Sequence, residues 1–502
     1  MRIIQVDERD NVAIPTADLA PGTPMGGGLF ARSYIPQGHK IAMADLREGS
    51  PVVRYGAVLG HLMQPVQAGG LISETMLRLP ESPDLDGLEF GTDIVTDLPE
   101  PPVSVFEGYP VEGSPYGGTR NILGIMTTVQ CVAGVLNSAV ERMRKELLPL
   151  YPAVDDIVPL NHPYGCGVAI DAPDAKIPIR TLRNLLRNPN FGGELMVVGL
   201  GCEKLTVERL LEPGEISGEN VIMLQDHRGY VTMTDALLEM AERKLKRLNE
   251  RRRQPLPLSA LCVGMQCGGS DAFSGITANP AAGYASDLLV SGGATVMFSE
   301  VTEVRDGVRQ LAARCADAFV GRRLAEEMRW YDDYLRAGGV DRSANPTPGN
   351  KKGGLANIVE KAMGSIAKSG RSPVVEVLSP GERPSKRGLI YASTPAGDMV
   401  CGTCQLASGM TLQVFMTGRG TPYGLAAAPV IKVSSRSDLK DMWSDLIDVD
   451  AGVIASGEAS IREVGELLFR EIVDTASGRK RPWAEKHRLH NDLCLFNPAP
   501  IT

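Results

Sequence analysis

The chain has 502 residues, 43% of them hydrophobic and 22% charged, which is ordinary for a globular protein but too long for one core, so about three domains are expected. A formal net charge of −8 opposes general affinity for nucleic acid or anionic membranes, while small anionic substrates need only a local concentration of cations. No apolar run is long enough to cross a membrane, and MRIIQVDERD lacks the basic start and apolar centre of a signal peptide, so a cytoplasmic enzyme is expected.

Residues 1–77 carry short apolar alternations broken by turn residues, such as DNVAIPTADLAPGT and GSPVVRYGAVLGHL, and predict a small β domain. Residues 78–118 are rich in Pro, Gly and acidic residues and read as an extended linker lying on a neighbouring surface. From residue 119 to 255 strands alternate with helices. ILGIMTTV, DDIVPL and ELMVVGL are strands, AGVLNSAVERMRKELLPLY and IPIRTLRNLLRN are helices, and DALLEMAERKLKRLNERRR is a long amphipathic helix. Residues 256–502 continue with the strands ALCVGM, ATVMFSE, PVVEVL, TLQVFM and PVIKVS. Alternation of this kind predicts an α/β protein, the β domain being followed by two α/β domains with mostly parallel sheets.

In such sheets ligands bind outside the carboxyl ends of the strands. Four stretches place unusual residues there. TTVQCVAG holds Cys131; NHPYGCGVAIDAP holds His162, Cys166 and Asp171; VGLGCEK holds Cys202 and Glu203; VGMQCGGSDAFSG holds Cys267, Ser270 and Asp271. Glycines let the backbone approach a ligand, and Ser, Asp and amide groups bind its oxygens. Against this, a lone cysteine after a strand is more often a small buried hydrophobe. Nine cysteines in so long a chain are too few for a disulfide scaffold.

His39 in PQGHK reads equally as a functional group or part of a surface turn, and the four histidines other than His39 and His162 read as structural or solvent-facing. Lys351 and Lys352 in NPTPGNKKGGL make a flexible cationic loop, and Arg419 and Thr421 in TGRGTPYG follow a strand; an arginine between glycines reaches a carboxylate bidentately. One such charge pair is worth roughly 4 kcal/mol before desolvation. Two or three cations favour a dianion. Cys401 and Cys404 match the CxxC spacing of redox and zinc sites, but no second CxxC accompanies them. GLGCEK falls short of a dinucleotide fingerprint.

TRNILGIMTTVQC, LNHPYGCGVAIDAP, NPNFGGELMVVGLGCEKL, VGMQCGGSDAFSGITANPAAGYASDLLV, RSANPTPGNKKGGLANIVEKAMGSIAKSG and FMTGRGTPYGLAAAPVIK together closely resemble the galactarate/altronate dehydratase family of sugar-acid dehydratases. The likeness covers nearly the whole chain, and PQGHKIAMADL resembles that family's β-clip, or SAF-like, domain. It implies a hydro-lyase that dehydrates galactarate to 5-dehydro-4-deoxy-D-glucarate, a divalent metal, Fe2+, as cofactor, and a homodimer. An altronate-type or other hydroxy-acid dehydratase, or a non-catalytic sugar-acid binding protein, are the alternatives.

Dehydration removes a proton next to a carboxylate and expels hydroxide from the neighbouring carbon, so it needs a placed base and a cation near the developing negative charge. Imidazole and thiolate suit Fe2+, which makes His162, Cys166 and Cys202, with Glu203 nearby, the expected metal set. An iron–sulfur cluster on the four strand-end cysteines is the alternative. His39 is the expected base, with Lys352 as rival. Lys351, Lys352 and Arg419, with Thr421, are expected to hold the carboxylates, and Ser270, Asp271 and Asn279 the hydroxyls.

Overall fold

The structure is a computed structural model and describes residues 3–499. Residues 3–80 form short antiparallel ribbons. Val12–Pro15 and Lys40–Ala42 pair at the centre of a four-stranded sheet, and Pro51–Arg54, Ala57–Leu62 and Leu77–Arg78 make a three-stranded one. Their inward side chains, including Val12, Val52, Leu59 and Ile72, form a small core that is completed by Val359 from the far end of the chain. So small a module buries little apolar surface by itself, and borrowing a side chain from a larger unit helps to fix it there.

Residues 79–104 contain no helix or strand. They lie against the C-terminal unit, where Arg342 donates to the Pro80 carbonyl at 2.8 Å and Arg305 to that of Pro83 at 2.9 Å. The expected linker ends earlier in regular structure than its composition indicates, because Val105–Gly108 pairs antiparallel with Gln254–Pro257.

The middle unit is built on a parallel sheet of β1 (Ile122–Thr127), β2 (Asp156–Leu160), β3 (Val197–Gly199) and β4 (Val221–Met223), in the order β2-β1-β3-β4. Helix α1 (Ala133–Glu146) buries Leu136, Val140 and Met143, spaced at three and four residues, against it. Helix α2 (Tyr230–Glu250) packs beside α1 in the same way through Leu237, Ala241, Leu245 and Leu248.

The C-terminal unit holds seven parallel strands, β5 (Cys262–Cys267), β6 (Thr295–Phe298), β7 (Val374–Leu378), β8 (Gly388–Ala392), β9 (Leu412–Thr417), β10 (Val430–Ser434) and β11 (Val449–Asp450), in the order β7-β8-β6-β5-β9-β10-β11. Helices cover both faces, so β5, β6, β8, β9 and β10 are buried along their whole length and are mostly apolar, with Gln266, Gln413 and Lys432 as buried exceptions. Helix α3 (Ala278–Ser291) follows β5 and is rich in alanine, with no lysine, arginine or glutamate, and ten of its residues are buried inside the unit. The α/β architecture with a small β module ahead of it is the one the sequence predicts. Among the described residues no helix is long and apolar enough to cross a membrane.

Candidate active site

β5 is the centre of the seven-stranded sheet. The chain first adds β6 on one side of it and later β9 on the other, so the carboxyl end of β5 is a switch point where neighbouring loops part and leave a crevice. Cys267 is the last residue of β5, and Glu300 and Glu303 follow β6. One ligand atom from each of these three buried residues lies within 4.8 Å of the others, the closest such set among the described residues.

Two cations face them. The Lys361 ammonium is 2.6 Å from a Glu303 oxygen, and the Lys368 ammonium is 3.2 Å from Cys267 Sγ, 2.7 Å from Ser365 Oγ and 3.8 Å from Glu300. Both lysines come from one buried stretch, α4 (Ile358–Ile366) and the turn after it. Asp398 completes the group. It opens helix α5 (Asp398–Ala407), accepts from Gln266 Nε2 at 3.2 Å, and leans over Gly268, where a Cβ would come within 2.5 Å of its oxygens.

Burial sets the electrostatics. It raises the Glu300 carboxyl well above the usual range, with Glu303 adding to the shift, and it raises the Cys267 thiol. It lifts Asp398 to about 6, again with a contribution from Glu303. Burial alone disfavours charge on Lys368, yet Cys267, Glu300 and Glu303 together hold it above its ordinary value. Three carboxyl groups face two ammonium groups, so the surplus acid, Glu300, favours its protonated form, and Glu300 Oε2 is buried with no hydrogen-bond partner. A thiol and two carboxylates so arranged fit a divalent cation. Glu300 holds its place at a φ of 76°, in the left-handed region.

The expected substrate groups gather on three loops around this cluster. Arg419 N–H donates to Gly269 O at 2.7 Å, Asn350 Nδ2 to Ser270 O at 2.8 Å, and Ala272 N–H to Gly353 O at 3.0 Å, which ties the 269–272, 349–353 and 418–421 segments together. Ser270 Oγ and Asn279 Oδ1 are buried without partners. Thr421 Oγ1 is 3.5 Å from Thr417 Oγ1 at the end of β9. Lys351 is half-buried; Lys352 and Arg419 are exposed. Asp271 Oδ1 accepts from Phe273 N–H, Ser274 N–H, Ser274 Oγ and Ser435 Oγ, which holds its loop, while its Oδ2 is buried with no hydrogen-bond partner, 3.3 Å from Arg436.

His39 is half-buried and arrives from the N-terminal module. Its neighbour Gly38 turns at a φ of +77°, and a Cβ there would come 3.2 Å from Ala272 and Phe273, so only glycine lets the turn seat this closely. Gln37 Oε1 accepts from Arg436 at 2.9 Å. The module therefore rests on two of these loops, at Ala272 and Gly353, and on Arg436 after β10.

His162, Cys166, Cys202 and Glu203 stand at the carboxyl end of the other sheet, on the loops after β2 and β3. His162 is not free to bind an ion. Its Nε2–H donates to Thr127 O at 2.7 Å and its Nδ1 accepts from Tyr164 N–H at 3.2 Å, so both nitrogens are occupied, and burial lowers its pKa to about 4. The Glu203 carboxylate is likewise engaged, accepting from Thr128 Oγ1 and from the Leu200 and Gly201 amides. Cys401 and Cys404 are free thiols buried in α5.

Residues 258–501 match the D-galactarate/altronate dehydratase C-terminal family, residues 108–249 the D-galactarate dehydratase/altronate hydrolase second domain, and residues 1–80 the altronate/galactarate dehydratase SAF domain. The chain belongs to the galactarate/altronate dehydratase family. It is 56% identical to galactarate dehydratase (L-threo-forming) of Escherichia coli K12, over 99% of this chain and 97% of that one. It is 33% identical to altronate dehydratase of Escherichia coli K12, over 96% of each chain, and 31% identical to altronate dehydratase of Bacillus subtilis 168, over 95% of each. Membership of this dehydratase family makes the chain a hydro-lyase, and the SAF domain is the small β module.

Glu300, Glu303, Lys361, Lys368 and Asp398 were not anticipated from the sequence. A signal was present in IVEKAMGSIAK, an otherwise apolar helical stretch carrying three charges, since charge on a helix with no wet face must be paired within the protein.

Proposed function

We propose that the chain dehydrates galactarate to 5-dehydro-4-deoxy-D-glucarate at the Cys267–Glu300–Glu303 cluster. The observation that carries this reading is the buried thiol and carboxylate set at the β5 switch point, in a chain that aligns nearly end to end with a galactarate dehydratase. A divalent cation, Fe2+ in this reading, bound by Cys267, Glu300 and Glu303 supplies Lewis acidity toward an α-hydroxycarboxylate.

The residues divide the remaining work. Asp398, its pKa raised by burial to about 6, takes the proton from the carbon next to the carboxylate. Lys368 and Lys361 offset the negative charge that builds on oxygen. His39, brought in on the SAF domain, protonates the departing hydroxyl. Ser270 and Asn279, with unpartnered oxygens, bind substrate hydroxyls. Lys351, Lys352 and Arg419, with Thr421, bind the outer carboxylate. Lys352 is exposed, which suits contact with an outer carboxylate better than proton abstraction inside the buried cluster. The whole acts as a cytoplasmic homodimer, as the family likeness implies.

The test is a panel of aldarates and aldonates, with and without added Fe2+, read by 2-keto acid formation. Turnover of galactarate that depends on metal is expected. Turnover of altronate with none of galactarate overturns the assignment, and saturable binding with no keto acid from any substrate identifies a binding protein instead.

A further inference from the structure

The four-stranded sheet has a switch point of its own. β1 is central, with β2 on one side and β3 on the other, so the loops leaving all three carboxyl ends meet. Each loop carries one cysteine soon after its strand, Cys131 after β1, Cys166 after β2 and Cys202 after β3. These three are exposed, whereas five of the other six cysteines are buried.

The loops are bound to one another beside the thiols. A Cβ on Gly165 would lie 2.1 Å from Thr128 O, so the Cys166 loop rests directly on the segment leading to Cys131. Gly165 O accepts from the Lys204 and Leu205 amides at 2.9 and 3.1 Å, which joins the Cys166 loop to the Cys202 loop. Glu203 closes the ring by accepting from Thr128 Oγ1.

An unligated exposed thiol is open to oxidation, and a free cysteine is ordinarily a buried one. Three exposed thiols at one switch point therefore indicate a ligand. His162 and Glu203 have spent their polar atoms on backbone and Thr128, so the available donors are sulfurs. The three sulfurs do not close to the 4.8 Å spacing of the Cys267 set, and a cluster holds its thiolates wider apart than a single ion does.

We infer that Cys131, Cys166 and Cys202 bind an iron–sulfur cluster of the [4Fe–4S] type, leaving its fourth iron to a ligand other than cysteine. Four Fe3+ and four sulfide ions assemble into the cluster with two electrons from a small-molecule thiol, which leaves as its disulfide, and each cysteine releases its proton to solvent as its sulfur bonds to iron. This site is separate from the Cys267–Glu300–Glu303 cluster and does not depend on the substrate assigned to it.

The experiment uses the full chain, purified without oxygen, incubated with Fe3+ and sulfide under a thiol that reduces half of the iron, and desalted. About four acid-labile sulfides per chain and a broad visible absorption are expected. Cys166→Ser and Cys202→Ser lose both signals, and Cys494→Ser keeps them. Glu303→Gln loses iron from the other centre and keeps the sulfide, which separates the two sites. In the loaded wild type, iodoacetamide labels Cys494 and spares the three thiols, a readout that needs no variant to fold. Absence of sulfide, metal bound at these cysteines without sulfide, sulfide retained in the triple Cys131→Ser/Cys166→Ser/Cys202→Ser variant, or equal labelling of all four thiols overturns the inference.

Discussion

Lys40 of the SAF domain and Glu360 of the C-terminal unit form an ion pair in which both side chains are almost completely buried, 2% and 0% exposed. Arg54 takes the other carboxylate oxygen at 2.5 Å and also donates to Ala272 O at 2.9 Å, on the loop that carries Ser270. Two cations here hold Glu360 ionised despite its burial. The seam between the two units is therefore polar at its centre and continuous with the candidate active site.

Removing Glu360 strands two buried cations. Glu360→Leu is expected to destabilise the chain by about 3–5 kcal/mol in urea unfolding, and Lys40→Met/Arg54→Met/Glu360→Leu to recover most of that loss. A single variant as stable as the wild type would show that water reaches the seam.

His162 links stability to pH. Its folded pKa is about 4 against an ordinary 6.5, because burial disfavours the charged ring. Between those values the unfolded chain binds a proton that the folded chain does not, so stability falls as pH drops from 6.5 to 4 and this contribution levels off below 4. The loss is roughly 3 kcal/mol. His162→Gln should flatten that part of a stability profile, whatever it does to the absolute value.

Asp398→Asn removes the proposed base while leaving a side chain of the same shape. A fall in kcat of about 10²–10⁴ is expected, with metal content unchanged. His39→Ala tests the other proton carrier, and near-normal turnover in that variant would remove His39 from the mechanism.

Arg419 is proposed to bind the far carboxylate. Arg419→Ala is expected to raise KM for galactarate about 10–100-fold, the value of one charge-assisted contact, with a smaller effect on kcat. Since an aldonate has only one carboxylate, the same variant should lose much less against altronate.

Metal binding at Glu300 has to displace the proton that burial and Glu303 favour there. Affinity for Fe2+ should therefore rise with pH, as seen by competition with a chelator. Glu300→Gln should weaken binding and reduce its pH dependence.

Much of the fold was legible because each strand is short, apolar and bounded by turn residues. TLQVFM and ALCVGM become adjacent β9 and β5 in the expected parallel sense. RGLIYAS was passed over although it forms β8, since a short apolar run amid Pro, Ser and Gly resembles a loop as much as a buried strand. The glycine-rich motifs drew attention to the backbone scaffold around Ser270 and Arg419. They did not reveal which chemical groups that scaffold presents. Glu300 and Glu303 sit in FSEVTEV, which reads like any strand end, and only the order of strands in space brings them to Cys267. The four strand-end cysteines look like one set in the sequence, which does not say that Cys267 belongs to a different sheet from the other three.

Glu300 keeps a side chain where the backbone favours having none, a conformation that costs on the order of 1–3 kcal/mol and that glycine adopts freely. Glycine there would relax the backbone but withdraw one of the three groups that keep the buried Lys368 charged, so a relaxed turn and a paired lysine are set against each other at one position.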